Sequence, residues 1–300
     1  MTETLKKIFR RLGPGLITGA ADGFNSDGLV GGSITQVYAG DLQGNLWAVD
    51  VSDANPSLWS VRLLFQAKDS GGVRQPITTA PVVSLHPNYP VKTGSFIMFG
   101  TGRFLTATDL TDNQTQTAYG VWDTGAATPY SRANLQQQTI TLVPAATSGL
   151  AKDILTTSST PFGYGTIVGW YDDLAIPGQR FFTNATLLNG MFVATLNKPP
   201  ASACSAIPDA ILLELNFKNG GAPPQAILDI NNDGLFNSLD QYSGKNPTGV
   251  TIGKGYASAP TLLFPPGGPI RKNITLSGGT MQSIGNKDLS KHNASWVQLQ

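Results

Sequence analysis

One strand–turn–strand unit occurs twice in this chain, and that repetition constrains the fold more than any other feature. Val37-Tyr-Ala-Gly-Asp-Leu-Gln-Gly-Asn-Leu-Trp-Ala-Val-Asp50 reads as two short strands around a Gln43-Gly44-Asn45 turn, because Gly and Asn tolerate positive φ. Ile97–Asp109 aligns with it, placing Gly40 on Gly100 and Asp50 close to Asp109. A second element also recurs: Thr79-Ala80-Pro81-Val82-Val83 is echoed by Ser258-Ala259-Pro260-Thr261-Leu262. In order, the unit is Ala-Pro strand, loop, Gly-rich strand, turn, strand. A period of 40–60 residues built from short antiparallel strands predicts propeller blades. Each blade hides its faces only against its neighbours, so repetition is physically required. The expected fold class is all-β and β-propeller-like, with a sandwich of unrelated hairpins as the alternative.

The acidic residues support short strands. There are 17 Asp but only two Glu, Glu3 and Glu214, and Asp favours turns and caps where Glu favours helix interiors. With 34 glycines and 20 prolines, turns should be frequent and long helices rare. Further strands are expected at Phe181–Thr183, Met191–Leu196 and Ile211–Phe217. In the last, Ile211, Leu213, Leu215 and Phe217 share one face, and Leu212, Glu214 and Asn216 the other. Residues 198–208 read as a Pro-rich loop holding Cys204. The Gln/Ser/Thr-rich stretch 131–160 has no clear pattern.

Charge narrows the function classes. The net charge is +1, which argues against a nucleic-acid binder, and 40% hydrophobic residues suffice for a real core. A single cysteine, Cys204, allows no intrachain disulfide, and the only histidines are His86 and His292, so a four-ligand Cys/His zinc site is excluded. No run of 18 apolar residues occurs, so no helical membrane span is expected. The basic start, Lys6, Lys7, Arg10 and Arg11, precedes an apolar stretch broken by Gly13, Pro14 and Gly15, which is a poor signal peptide.

The strongest local signal is Leu228-Asp-Ile-Asn-Asn-Asp-Gly-Leu-Phe-Asn-Ser-Leu-Asp240. Asp229, Asn231 and Asp233 fall at loop positions 1, 3 and 5, Gly234 at 6, Leu235 at 7, Asn237 at 9 and Asp240 at 12, the oxygen-ligand spacing of a calcium loop. Alternate residues of a tightly wound loop point inward, Gly lets the chain turn back around the ion, and Leu235 would offer its carbonyl. Position 12 carries Asp in place of the bidentate Glu of an EF-hand, as in dockerin loops. The flanking Pro223, Pro224 and Pro247 argue that the loop joins strands. The competing reading is an Asp/Asn-rich turn that holds no metal. Asp22–Gly28, with Asn25, Asp27 and Gly28 at positions 3, 5 and 6, would be a decayed second copy.

Enzyme signatures are thin. Asp172 and Asp173 are adjacent and read better as a turn than as an acid pair. No G-x-S-x-G elbow is present, and Gly100-Thr-Gly102 lacks the third glycine of a phosphate loop. No catalytic residue is assigned.

Two resemblances remain. Residues 5–22, LKKIFRRLGPGLITGAAD, are similar to a cytoplasmic segment of Nramp-type metal transporters, but the likeness stops at Asp22, so residues 1–24 are set apart as a leader. The body, 25–300, resembles the C-terminal domain of the PilY family of type IV pilus biogenesis and tip-associated proteins. The pieces are VYAGDLQGNLWAVDVS (37–52), QPITTAPVV (75–83), MFGTGRFL (98–105), QTAYGVWD (116–123), GWYDDL (169–174), the loop 229–240 and GYASAPTLL (255–263), in family order. The resemblance implies a modified, incomplete quinoprotein-like propeller and carries Ca²⁺ onto Asp229, Asn231, Asp233, Leu235 and Asn237, with Asp240 compensating for a charge missing at Asn237. It implies a non-enzymatic module in which calcium occupancy favours pilus extension over retraction. The implied partners are minor pilins or the pilus tip and a host-surface ligand, without nucleic acid or membrane span. The implied place is the cell surface, at the pilus tip or associated with the outer membrane. Because family members also carry a signal peptide and a large N-terminal region, the chain is expected to be a fragment. A pyrroloquinoline-quinone dehydrogenase propeller and a purely structural adhesin are the alternative functions.

Overall fold

The computed structural model describes residues 20–22, 34–202, 204–231, 233–266 and 269–287. Strands dominate, and the one α-helix among the described residues is the single turn Ala145–Ser148, closed by Gly149 at φ +72°. The first sheet is an antiparallel meander of β1 (Ala20–Asp22), β2 (Gln36–Gly40), β3 (Asn45–Asp50) and β4 (Ser60–Gln66). Apart from β1, the segment 1–24 lies outside the described residues, as do Asn25, Asp27 and Gly28.

A ten-stranded sheet follows. It contains β5 (Val82–Leu85), β6 (Ser95–Gly100), β7 (Thr117–Trp122), β8 (Gln136–Val143), β9 (Ile154–Thr157), β10 (Gly169–Asp173), β11 (Thr186–Leu188), β12 (Met191–Leu196), β13 (Asp209–Asn216) and β14 (Gly249–Lys254). Its order is β11-β12-β13-β14-β9-β8-β10-β7-β6-β5. All its ladders are antiparallel except the seam between β8 and β10, where Trp170 pairs with Gln136 and Asp173 with Thr139. The antiparallel group β5-β6-β7-β10 thus meets a second group at one parallel joint. The last sheet holds β15 (Thr261–Leu263), β16 (Ile270–Thr275) and β17 (Met281–Asn286). Both Ala-Pro elements sit immediately before a strand, β5 and β15, where a residue without an N–H costs the ladder nothing. No helix among the described residues is long and apolar enough to cross a membrane.

The repeated unit is half preserved. In the first copy, the Asp41 carboxylate accepts from Gln43 N at 2.8 Å, Asn45 N at 2.9 Å and Trp47 Nε1 at 2.9 Å, and Gly44 adopts φ +74°, so the expected hairpin forms. In the second copy only the first strand, β6, forms. The expected return strand is replaced by a loop carrying the short 3₁₀ turn Ala107–Leu110. There Asp109 is buried and accepts from Leu105 N at 2.8 Å, Thr106 N at 2.9 Å and Arg103 Nε at 2.8 Å, which satisfies the backbone locally and leaves nothing to pair with β6. The aligned glycines do share one job. A Cβ on Gly40 would lie 2.2 Å from Ile77 Cγ2, and one on Gly100 would lie 2.1 Å from Phe181 Cγ. Each lets a large side chain cross the strand's end. Phe181–Thr183 is accordingly not a strand. Its only ladder contact is the neighbouring Arg180–Asn197 bridge, because Phe181 is spent on covering Gly100. The stretch 131–160 supplies β8 and β9.

β13 organises the core. β12 occupies the expected residues, and β13 covers Asp209–Asn216 with both faces buried. Ile211, Leu213 and Leu215 pack with Trp170, Phe181 and Phe192 on one side, and Ala210 and Leu212 with Ile227, Leu228, Val250 and Ile274 on the other. Each fully buried leucine contributes about 1.5–3 kcal/mol. Glu214 shares the second side and is fully buried. It forms an ion pair with Lys272 of β16, also fully buried, and accepts from Asn286 Nδ2 of β17 at 2.9 Å. Removing one partner of such a pair strands a charge in the core. Lys272→Met should therefore cost about 3–5 kcal/mol in urea unfolding, whereas Lys272→Met with Glu214→Gln should recover most of that loss, since Gln still accepts from Asn286.

Candidate functional site

The loop expected to hold metal leaves the core directly. Ile227, Leu228 and Ile230 are buried, and Leu228 makes a backbone bridge to Asn286. From there the chain winds tightly. Asp229 accepts from Asp233 N at 3.1 Å and Gly234 N at 2.9 Å, Asn231 Oδ1 accepts from Asp233 N at 3.1 Å, and Asp233 Oδ1 accepts from Leu235 N at 2.8 Å. Gly234 stands at φ +80°, the reversal its position demands. Asn237 caps the 3₁₀ turn Ser238–Asp240 by accepting from Leu239 N at 2.7 Å. Asp240 is fully buried and ties the two arms together, accepting from Ile230 N and Asn237 N, each at 3.0 Å.

The six candidate residues thus fall into two sets. Asp229 is half-buried, and Asn231, Asp233 and Leu235 are exposed, so their oxygens line the outer turn within reach of solvent. Asn237 and Asp240 serve as caps inside it. The donors are all oxygen, which suits a hard cation such as Ca²⁺. Among the described residues no three His, Cys, Asp or Glu side chains are gathered as a metal-holding group, because Asp240 is turned inward to the backbone.

The other sequence candidates are accounted for by packing. His86 is buried among Phe96, Trp122 and Tyr164, with ring centroids 6.2, 4.6 and 4.3 Å away. Its Nδ1 accepts from Asn88 N at 3.0 Å, and burial first, then Lys92, pulls its pKa down to about 4, so it is a neutral core group. His292 lies outside the described residues, and Cys204 is exposed and free.

Asp172 and Asp173 are in strand β10, not in the expected turn, because Trp170 and Asp172 alternate inward while Tyr171 and Asp173 alternate outward. Asp173 pairs with Arg132 Nη2 at 2.6 Å. Asp172 has no exposed surface and neither carboxyl oxygen has a hydrogen-bond partner. Burial, with Asp173 adding to it, raises its pKa well above the usual carboxylate range. Its position two residues after a buried Trp was the signal that could have revealed it.

Known proteins give these features a context. Residues 4–151 match the family described as the PilY1 beta-propeller domain, a match that begins inside the segment 1–24 and ends before the loop 229–240. A type IV pilus biogenesis factor PilY1 homolog of Xylella fastidiosa (strain Temecula1) is 31% identical over 206 residues, 64% of this chain and 14% of the relative. PilY1 of Pseudomonas aeruginosa (strain PAO1) is 28% identical over 259 residues, 73% of this chain and 22% of the relative. The chain therefore spans between a seventh and a quarter of the length of these relatives. The crystal structure of the P. aeruginosa PilY1 C-terminal domain superposes with TM-score 0.68 at 24% identity, covering 85% of this chain and 57% of that one. The fold is thus the propeller-like one expected, and not a sandwich of unrelated hairpins.

The lone carboxyl yields a pH signature. Because the folded pKa of Asp172 is raised above the unfolded value of about 3.9, the folded state binds the extra proton. Its contribution to stability is fully present below about pH 4 and is lost as pH rises through the raised pKa. Asp172→Asn should raise the urea midpoint relative to the parent at pH 8, with the difference vanishing near pH 4.

Proposed function

We propose, from the membership of residues 4–151 in the PilY1 β-propeller family, that the chain is a non-enzymatic module of a type IV pilus biogenesis factor whose loop 229–240 binds Ca²⁺. The loop's winding carries this reading: Asp229 holds the N–H groups of Asp233 and Gly234, so the side chains at positions 1, 3 and 5 already curl around one turn. Asp229, Asn231, Asp233 and the Leu235 carbonyl would hold the ion, with Asn237 and Asp240 closing the loop. The ion supplies positive charge that offsets the repulsion between the carboxylates.

The consequence for the protein is order at one edge. Leu228, adjacent to Asp229, bridges to Asn286, whose side chain donates to Glu214. Tightening the loop therefore stiffens the seam between β13 and the β15–β17 sheet. A ligand that binds only the folded loop stabilises that state by mass action. In this reading calcium occupancy favours pilus extension, its loss permits retraction, and the stiffened surface at the cell exterior or pilus tip engages minor pilins or a host-surface ligand.

A second reading, a structural staple without metal, is favoured by Asp240, whose two oxygens already serve backbone N–H groups. Terbium luminescence and calcium titration calorimetry separate the two. The parent should bind, and calcium at 100 times its Kd should add about 2.7 kcal/mol to stability. Asp229→Ala with Asp233→Ala should abolish both effects while leaving the fold intact. Unchanged titration in that variant would leave the staple reading standing.

A further inference from the structure

The GWYDDL strand has an outward face that the calcium reading leaves without a role. Tyr171 and Asp173 line a cleft of about 400 Å³ at the junction of the first sheet with the ten-stranded sheet. Its other walls are the turn after β4, including Lys68 and Ser70, the short turn before β8, including Arg132, and the start of β8 itself at Gln137.

The floor of the cleft is rigid. The Arg132 guanidinium lies 4.1 Å from the centroid of the Tyr171 ring, donates from Nη2 to both Asp173 oxygens at 2.6 Å and from Nη1 to the Lys68 carbonyl at 2.9 Å. Thr117 Oγ1 donates to Asp173 at 2.7 Å from below. One wall is equally fixed: Asp69 accepts from Gly71 N and Val73 N at 2.9 Å each and from Gln114 Nε2 at 2.9 Å, which locks the turn. In contrast, among the described residues no hydrogen bond or ion pair engages Lys68 Nζ, Ser70 Oγ, the Gln137 amide or Tyr171 OH. The cleft is thus a preorganised base under free donors and acceptors.

Its chemistry selects the ligand class. Two cations, Lys68 and Arg132, face two carboxylates, Asp69 and Asp173, so the lining carries no net charge. An anion would meet Asp173 and Asp69, and a cation would meet Arg132 and Lys68. An apolar ligand would have to strand the free polar groups, each at a desolvation cost. A neutral molecule dense in hydroxyls meets none of these penalties. The volume lies at the lower end of small-molecule sites, roughly 300–1,000 Å³. We infer that this inter-sheet cleft is a binding site for a neutral saccharide, held by hydrogen bonds from Lys68, Ser70, Gln137 and Tyr171. It shares no residue with 229–240, so it stands or falls independently of calcium binding.

Saturation-transfer NMR on the full chain tests this, with glucose, galactose, mannose and N-acetylglucosamine as neutral probes and glucuronate as the charged one. At least one neutral sugar should give a millimolar signal that glucuronate does not match. Gln137→Ala alters an exposed side chain, and Tyr171→Phe keeps the ring under Arg132 while deleting only the hydroxyl. Each should weaken binding about fivefold, the loss of one hydrogen bond. No signal from any neutral sugar, a preference for glucuronate, or binding unmoved by both substitutions would overturn the assignment.

Discussion

The ion pair between Glu214 and Lys272 is the contact on which the assembly of the sheets depends. Both side chains are removed from water, and the attraction between them offsets that desolvation only when the partners meet and the remaining lone pairs are satisfied. Asn286 supplies the missing donor. Three strands from two sheets therefore reach their lowest energy in one mutual register, and a slip of β16 by one residue would turn Lys272 to the opposite face. The same slip would turn Ile270 and Ile274, which share the buried face of β16 with Lys272, out of the core, so apolar burial and the ion pair select one register together. The polar trio adds a penalty for an unpaired charge to that selection.

The same economy appears in β10. Trp170 and Asp172 face a dry interior, and Tyr171 and Asp173 face a wet cleft, so one five-residue strand separates a core from a surface recess. The two aspartates differ accordingly. Asp173 is matched by Arg132, whereas neither carboxyl oxygen of the buried Asp172 has a hydrogen-bond partner. Gly220 completes the inner packing, since a Cβ there would lie 2.6 Å from the Trp170 ring and 2.8 Å from Asp172 Oδ2.

What could be read from residues alone was local. The β2–β3 hairpin was legible because Asp41, Gly44 and Asn45 write the turn within a few residues, and the two-faced nature of β13 was legible because its apolar positions alternate. The wound loop at 229–240 was legible for the same reason. Features that depend on distant partners were not. Phe181 is extended and apolar like a strand residue, yet its role is set by Gly100, far away in sequence. Glu214 shares a face with Leu212 and Asn216, and nothing near it in sequence points to Lys272, 58 positions on. Asp240 illustrates a different difficulty: ligation and capping ask for the same side chain, so spacing could not distinguish them.

The parallel joint between β8 and β10 has a consequence for how the chain is assembled. Antiparallel ladders such as β2–β3 or β16–β17 close over short connections and lose little chain entropy in forming. The β8–β10 pairing must wait until the connecting segment, which itself contributes β9, has been laid against the rest. The β9–β14 pairing, which joins Leu155 to Gly249, spans a longer connection still, so both joints close after the local hairpins and leave strand edges unpaired until then.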